Sequence, residues 1–332
     1  MNSPDQERSK RALICGIGGQ DGAYLAQFLC SKGYAVVGTS RDATGVNRTG
    51  LRTLAINDKV DVMSMAPNDF RSVLQTVVRV APDEIYNLAG QTSVGLSFDQ
   101  PVETIESISI GVLNLLEAMR FVGKPMKLYN AGSSECFGDT GDSPASETTP
   151  FRPRSPYAVA KACAHNLVAN YREAYNLFTC TGILFNHESP LRPERFVTQK
   201  IVRAAARIAN QEQHELTLGN LDIHRDWGWA PDYVRVMWRM LQEENPEDFV
   251  IATGRTVSLE YFVDRAFAYF GLKWREHVRH DSSLMRPSDI RHGAGDPTLA
   301  AKRLGWSASH DVDSVVDLMC RSITGPTQPA ES

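Results

Sequence analysis

Tyr157 and Lys161 stand four residues apart in the run Tyr-Ala-Val-Ala-Lys, a spacing that puts a phenol and an ammonium on one face of a helix. A free phenol titrates near 10, so acting as a base near neutrality takes a displacement of roughly three pH units, about 4 kcal/mol. An ammonium one helical turn away, with a cationic ring nearby, moves the phenol in that direction. Upstream lie Ser133, Ser134 and Glu135. A Ser133 hydroxyl opposite the phenol suits a hydrogen bond to a substrate oxygen held between them. Glu135 adds a carboxylate that hydride transfer alone does not use, which points to proton movement as well.

A second group of residues reads as a cradle for a nucleotide. Gly16, Gly19 and Gly22 form a GxxGxxG spacing, with Gln20 and Asp21 inside it, between an apolar run and a helical pattern. Glycines there let the backbone approach a pyrophosphate, which rests on the helix N-terminus. In a dinucleotide site the second strand would end in a carboxylate if the ligand were NAD. Here it runs Gly38-Thr39-Ser40-Arg41. No acid stands at the strand end, and the Arg41 guanidinium suits a 2′-phosphate, so NADP is favoured. Asp42, directly after it, sets a negative charge beside that site.

Positioning these residues requires strands and helices in alternation. Apolar runs at Arg11–Cys15, Ala35–Ser40, Val60–Met63, Glu84–Leu88, Met126–Ala131 and Thr179–Phe185 read as strands. Helical patterns separate them at about 21–32, 69–80, 101–121 and 156–175, with Gly33 placed to end the first. Short buried strands joined by helices imply an α/β fold: a doubly wound, Rossmann-type parallel sheet whose ligand crevice lies at the strands' carboxyl ends. After Phe185 the rhythm changes. Asn186–Arg195 is polar and loop-like, helices are expected at about 196–210 and 232–243, strands at Glu215–Leu218 and Phe249–Ala252, and an ordered loop at 281–297. The expected division is a dinucleotide-binding domain over 11–185, with later segments interleaved, and a smaller, mainly substrate-binding domain over 186–325.

Composition narrows the class. The 332 residues carry 35 Lys and Arg against 39 Asp and Glu, a net charge of −4, which predicts no basic stripe for nucleic acid and no polybasic membrane surface. No apolar run approaches the roughly 18–20 residues that span a bilayer. Met1–Lys10 lacks an apolar signal core, so the expected compartment is the cytoplasm. Cys15, Cys30, Cys136, Cys163, Cys180 and Cys320 are scattered without a CxxC, and neither a metal site nor a disulfide framework is expected. His277 and His280, flanked by Arg275 and Arg279, read as a solvated helix face. The last residues, 325–332, read as a frayed tail.

Longer stretches carry a resemblance. GIGGQDGAYLAQFL, EIYNLAGQTSVGLSF, SSECFG, PRSPYAVAK, GILFNHESPLR, FVTQKI, LGNLDIHRDWGWAPDYV and RPSDI are similar to the GDP-mannose 4,6-dehydratase family of extended short-chain dehydrogenases/reductases, from about Arg11 to Ser322. The resemblance implies that Ser133 replaces the family's threonine at the sugar's 4-position, that Glu135 is the acid/base, and that Tyr157 and Lys161 are the oxidation pair. It also implies that Ser93, Asn186, Glu188, Lys200, Asn220, Arg225 and Arg286 bind the GDP-sugar, that Leu88 and Ala89 join the cofactor site, and that the chain forms a homodimer or homotetramer. Departures fall at Arg41-Asp42 (a paired arginine in the family), Ser64, Asp289 and Arg291. The implied activity is a lyase that dehydrates GDP-mannose or a GDP-manno-heptose; the alternative is an NADPH-dependent reductase of a GDP-4-keto-6-deoxy sugar, since the GSSE stretch is also similar to such reductases.

Overall fold

The structure, a computed structural model, describes residues 9–141 and 143–324. The tail expected at 325–332 and most of the polar N-terminal segment lie outside the described residues. Thirteen strands occur among them: β1 (Arg11–Cys15), β2 (Ala35–Ser40), β3 (Val60–Ser64), β4 (Glu84–Asn87), β5 (Lys127–Ala131), β6 (Phe178–Leu184), β7 (Asn186–Glu188), β8 (Leu216–Leu218), β9 (His224–Trp229), β10 (Phe249–Ile251), β11 (Thr256–Ser258), β12 (Val278–His280) and β13 (His292–Gly293).

Seven of these make one parallel sheet in the order β10-β6-β5-β4-β1-β2-β3. Alternation along β1 shows why it lies at the centre. Ala12 and Ile14 enter the core on one face, Leu13 and Cys15 the core on the other, and all four are buried. The first face is covered by helices Gln20–Ser31, Ala230–Gln242 and Thr298–Leu304. The second is covered by Phe70–Val80, the long helix from Pro101 to Val122, and Pro156–Tyr175. That long helix contains a π turn at Glu106–Ile110, and within it the Ser109 hydroxyl donates to the Ala160 carbonyl at 3.0 Å. The strand order reverses between β1 and β4, so the crevice opens beyond their carboxyl ends.

Residues beyond 185 are used in two ways. β10 extends the main sheet and Ala230–Gln242 covers it, while a separate core gathers helices Val197–Ala209, Leu259–Tyr269 and Val312–Thr324. Several local expectations differ from what is found. The polar run at 186–195 opens with β7, which pairs with β9, and the loop at 281–297 contains a 3₁₀ turn and β13. His277 ends a one-turn helix whereas His280 lies in β12, so the two do not share a helix face. Strands of two or three residues have too little period to read; their partners define them. All six cysteines are free, four of them buried. Among the described residues no helix is long and apolar enough to cross a membrane.

Candidate active site

The glycine turn follows β1 directly. Gly16 adopts φ +91°, and a Cβ on it would lie 2.9 Å from the Leu88 carbonyl oxygen. At Gly22 a Cβ would lie 2.5 Å from the Gly16 oxygen and 2.8 Å from the Ile17 Cα. Only hydrogen fits at either position. The helix that begins at Gln20 carries no side-chain cap at Gly19, so its first-turn N–H groups face outward for an anion. A cradle of bare backbone ending in an uncapped helix suits a dinucleotide's pyrophosphate. The Gln20 amide is otherwise engaged: its Nε2 donates to the His187 carbonyl at 3.1 Å and its Oε1 accepts from Ser189 at 2.7 Å.

Arg41, one residue beyond β2, is exposed and pairs with Glu103 at 2.9 Å. Its neighbour Asp42 turns away into its own loop. Its carboxylate accepts from the Thr44 amide at 2.8 Å and the Thr44 hydroxyl at 2.7 Å, bonds that hold it below the usual carboxylate range. Ser64 closes the same region by accepting from the Ala43 amide at 3.0 Å.

The chemistry-bearing residues come from the turn beyond β5 and from the helix that starts at Pro156. Beyond β5 the chain turns through Ser133 into a 3₁₀ turn, Ser134–Phe137, with the Ser133 oxygen accepting from the Glu135 amide at 3.3 Å. Helix Pro156–Tyr175 is started by Ser155, whose hydroxyl accepts from the Ala158 amide at 3.1 Å, with proline at the first position. Tyr157 and Lys161 point from its first turns into the crevice. The Lys161 Nζ donates to the Ala131 carbonyl at 2.7 Å and lies 5.8 Å from the centre of the Tyr157 ring. Burial raises the Tyr157 phenol, and a hydrogen bond with Ser133 draws it back. Burial lowers the Lys161 ammonium to about 8.

Glu135 faces two arginines. Burial raises its carboxyl above the usual range, while the charges of Arg225 and Arg286 oppose the rise. Asp289 joins those arginines, 3.2 Å from Arg225 and 3.5 Å from Arg286, and Arg225 also donates to the His224 carbonyl at 2.9 Å. Glu188, buried at the end of β7, accepts from the Thr198 hydroxyl at 2.7 Å and faces Arg192 at 3.3 Å. The Lys200 Nζ donates to the Thr217 carbonyl at 2.8 Å, and the Asn220 side chain accepts from the Asp222 amide at 2.9 Å.

Together these residues enclose a cavity of about 500 Å³. Its wall includes Ser133, Glu135, Tyr157, Lys161, Asp21, Leu88, Ser93, Asn186, Glu188, Lys200, Asn220, Arg225 and Arg286. Ser93 also caps the short helix Val94–Asp99. Gly16, Gly19, Gln20, Gly22, Arg41 and Ala89 lie outside that wall; the glycine turn adjoins it through Asp21 and Leu88. The lining residues that sequence reasoning missed include His187 and Arg192. Arg192 stacks on Phe196 at 3.7 Å, and His187 bonds Asp21 at 2.9 Å. Both belong to the NHESPLR stretch, where only the flanking Asn186 and Glu188 stood out.

Known proteins are similar to this chain over most of its length. The family profile "GDP-mannose 4,6 dehydratase" matches residues 13–319. "GDP-mannose 4,6 dehydratase 2" of Arabidopsis thaliana is 46% identical over 94% of this chain and 86% of its own length. The Vibrio cholerae GDP-mannose 4,6-dehydratase is 41% identical over 90% of this chain and 89% of its own. Among solved structures, the dTDP-glucose 4,6-dehydratase DesIV of Streptomyces venezuelae, with NAD and TYD bound, superimposes with a TM-score of 0.85 at 18% identity, covering 95% of this chain and 97% of that one. RMD from Pseudomonas aeruginosa, complexed with NADPH, gives 0.78 at 20% identity over 95% and 97%. These two share the fold of this chain. The chain belongs to the GDP-mannose 4,6-dehydratase family, enzymes of the hydro-lyase class.

Proposed function

We propose that this chain is an NADP-dependent dehydratase that removes water from GDP-mannose, or from a GDP-manno-heptose, to give the 4-keto-6-deoxy sugar. The observation that carries the reading is a partly buried carboxyl, Glu135, on the same cavity wall as the Tyr157–Lys161 pair and Ser133. The glycine cradle would hold the pyrophosphate of NADP, and Leu88 and Ala89 flank it. Arg41, with Asp42 folded onto Thr44, supports preference for the 2′-phosphate. When bound, that cofactor would supply the hydride chemistry, accepting at C4 of the sugar and giving back at C6.

This chain's residues manage the protons. Ser133 holds the 4-oxygen, and Tyr157 removes its proton with the Lys161 charge stabilising the phenolate. The 4-keto group then acidifies C5. Glu135 takes the C5 proton and delivers it to the departing 6-hydroxyl, so a double bond forms between C5 and C6 as water leaves. As the cycle closes, C5 takes a proton from solvent, directly or through Glu135, and Tyr157 releases to solvent the proton it took from the 4-hydroxyl, so that both groups end as they began. Arg225 and Arg286 suit the diphosphate, while Asn186, Glu188, Lys200, Asn220 and Ser93 line the remaining wall. Association into a homodimer or homotetramer belongs to the same proposal. Exposed Val102, Phe121 and Val159, on the Pro101–Val122 and Pro156–Tyr175 helices, supply apolar surface for it.

The test incubates the protein with NADP⁺ and either GDP-mannose or GDP-manno-heptose. Mass spectrometry should show loss of one water from the preferred sugar with no net change in reduced-nicotinamide absorbance. Consumption of NADPH with a 4-keto sugar, and no dehydration of either GDP-sugar, would establish the reductase instead.

A further inference from the structure

Asp21 and His187 are 166 positions apart in the chain and meet in the wall of the cavity. Asp21 lies in the first turn of the helix that follows the glycine turn. His187 lies at the centre of β7, between Asn186 and Glu188. The His187 Nδ1 is 2.8 Å from the Phe185 carbonyl oxygen, and its Nε2 is 2.9 Å from the Asp21 Oδ2. A carbonyl oxygen and a carboxylate both accept. A neutral imidazole donates from one nitrogen only, so both bonds are made when the ring is the doubly protonated cation. Its flat face stacks on Tyr233 at 4.4 Å, which leaves the ring one orientation.

A second link lies alongside. Gln20 reaches the His187 carbonyl through its Nε2 and Ser189 through its Oε1. Consecutive side chains at the start of the first helix therefore grip both sides of β7. The charged groups facing the pair are Arg192, whose charge acts on both Asp21 and His187, and Lys161, which feels the Asp21 carboxylate. Tyr233, stacked on the imidazole, and Tyr129 also feel the Asp21 carboxylate.

We propose that Asp21 and His187 are a positioning pair that couples the cofactor cradle to the sugar-binding strand, so that filling one half of the cavity tightens the other. The inference rests on the reading that NADP occupies the glycine turn and a GDP-sugar occupies the β7 side. Neither residue needs to touch a reacting atom. Movement of the helix start on closing around a pyrophosphate would be carried to Asn186 and Glu188 through the ion pair.

The experiment measures NADP⁺ binding to the full chain by calorimetry, without and with saturating GDP as the probe. The wild type should bind NADP⁺ at least about five-fold more tightly with GDP present, the lower end of ordinary coupling between sites. His187→Asn, which keeps a donor toward Phe185 but none toward Asp21, should bind each ligand alone and lose that factor. His187→Gln, which keeps a neutral donor toward Asp21, should retain part of it. Nitrogen NMR of the ligand-free wild type should show a cationic His187 at neutral pH, with a lower titration point in Asp21→Asn. Equal coupling in wild type and His187→Asn, absence of coupling in a wild type that binds both ligands, or a neutral His187 would each overturn the pair while leaving the dehydratase reading intact. Failure of the wild type to bind GDP or NADP⁺ at all would overturn that reading and the coupling with it.

Discussion

Replacing Lys161 by methionine removes one charge from beside Tyr157 while keeping most of the side chain's volume. Taking the 5.8 Å from the Lys161 Nζ to the centre of the Tyr157 ring as the scale and an effective dielectric of about 20, the lost attraction for a phenolate is about 3 kcal/mol, or roughly two pH units. Oxidation at C4 should therefore slow about 100-fold at neutral pH, read as the single-turnover appearance of reduced nicotinamide after mixing with GDP-mannose. Because the phenol rises when the cation goes, the variant's rate–pH curve should be displaced upward. The lysine itself loses its proton near pH 8 in the folded chain, so the gap between wild type and variant should narrow as pH climbs past that value. Stability should move the other way. The unfolded chain keeps the lysine proton up to an ordinary value of 10.5, and the folded chain gives it up near 8. The folded-state penalty is therefore complete below pH 8 and relieved as pH rises toward 10.5, a window worth up to about 3 kcal/mol. Lys161→Met, minus about 1 kcal/mol for the lost bond to Ala131, should resist denaturant better than wild type at pH 7. A variant with an unshifted rate–pH curve would refute the role given to this charge.

Glu135→Gln should cut water elimination by about 10²–10⁴-fold while oxidation persists, leaving bound reduced cofactor and a 4-keto sugar; in D₂O the wild type should place deuterium at C5, and retention of the original hydrogen there would count against the proton shuttle. Arg41→Ala should weaken NADP binding about ten- to hundred-fold and leave NAD nearly unchanged, as titration of each cofactor would show; equal losses would remove the argument for a 2′-phosphate. Gly22→Ala should abolish dinucleotide binding, because its Cβ would stand 2.5 Å from the Gly16 oxygen and displace the turn; unaltered cofactor affinity would show that the cradle lies elsewhere.

The doubly wound sheet was legible because its central strands are buried on both faces and their apolar runs are uninterrupted, as in Arg11–Cys15. The family was legible because long stretches such as GIGGQDGAYLAQFL preserve spacing as well as residue type. The second half was harder. β7 is three residues long and polar, and it is a strand only because β9 lies beside it. The Asp21–His187 pair was hidden for a related reason. Each residue falls in a motif already assigned another purpose, and nothing local to either predicts the other. Arg192 sits in a proline-flanked polar loop, and its stacking on Phe196 depends on how that loop folds back. Periodicity reports which face is buried, whereas side-chain partners across a crevice depend on tertiary closure.

The charges around Glu135 make a last prediction that follows from this closure. Without ligand, the two arginines share Asp289 and still hold the Glu135 carboxyl below the value burial alone would give. A diphosphate seated on Arg225 and Arg286 spends their positive charge on its own oxygens and adds negative charge nearby. Both effects favour the protonated acid. The Glu135 carboxyl should therefore titrate at higher pH in the substrate complex than in the free protein, nearer the pH at which it must both take and give a proton. Solvent exchange at C5 isolates this group from Tyr157. Its acid limb, followed at saturating substrate, should lie above the limb seen at low substrate, where the free protein governs. Arg225→Met should raise the low-substrate limb toward the saturated one, because one of the two opposing charges is then already gone. Coincident limbs in the wild type, or a saturated limb displaced downward, would mean that the arginines do not govern this carboxyl.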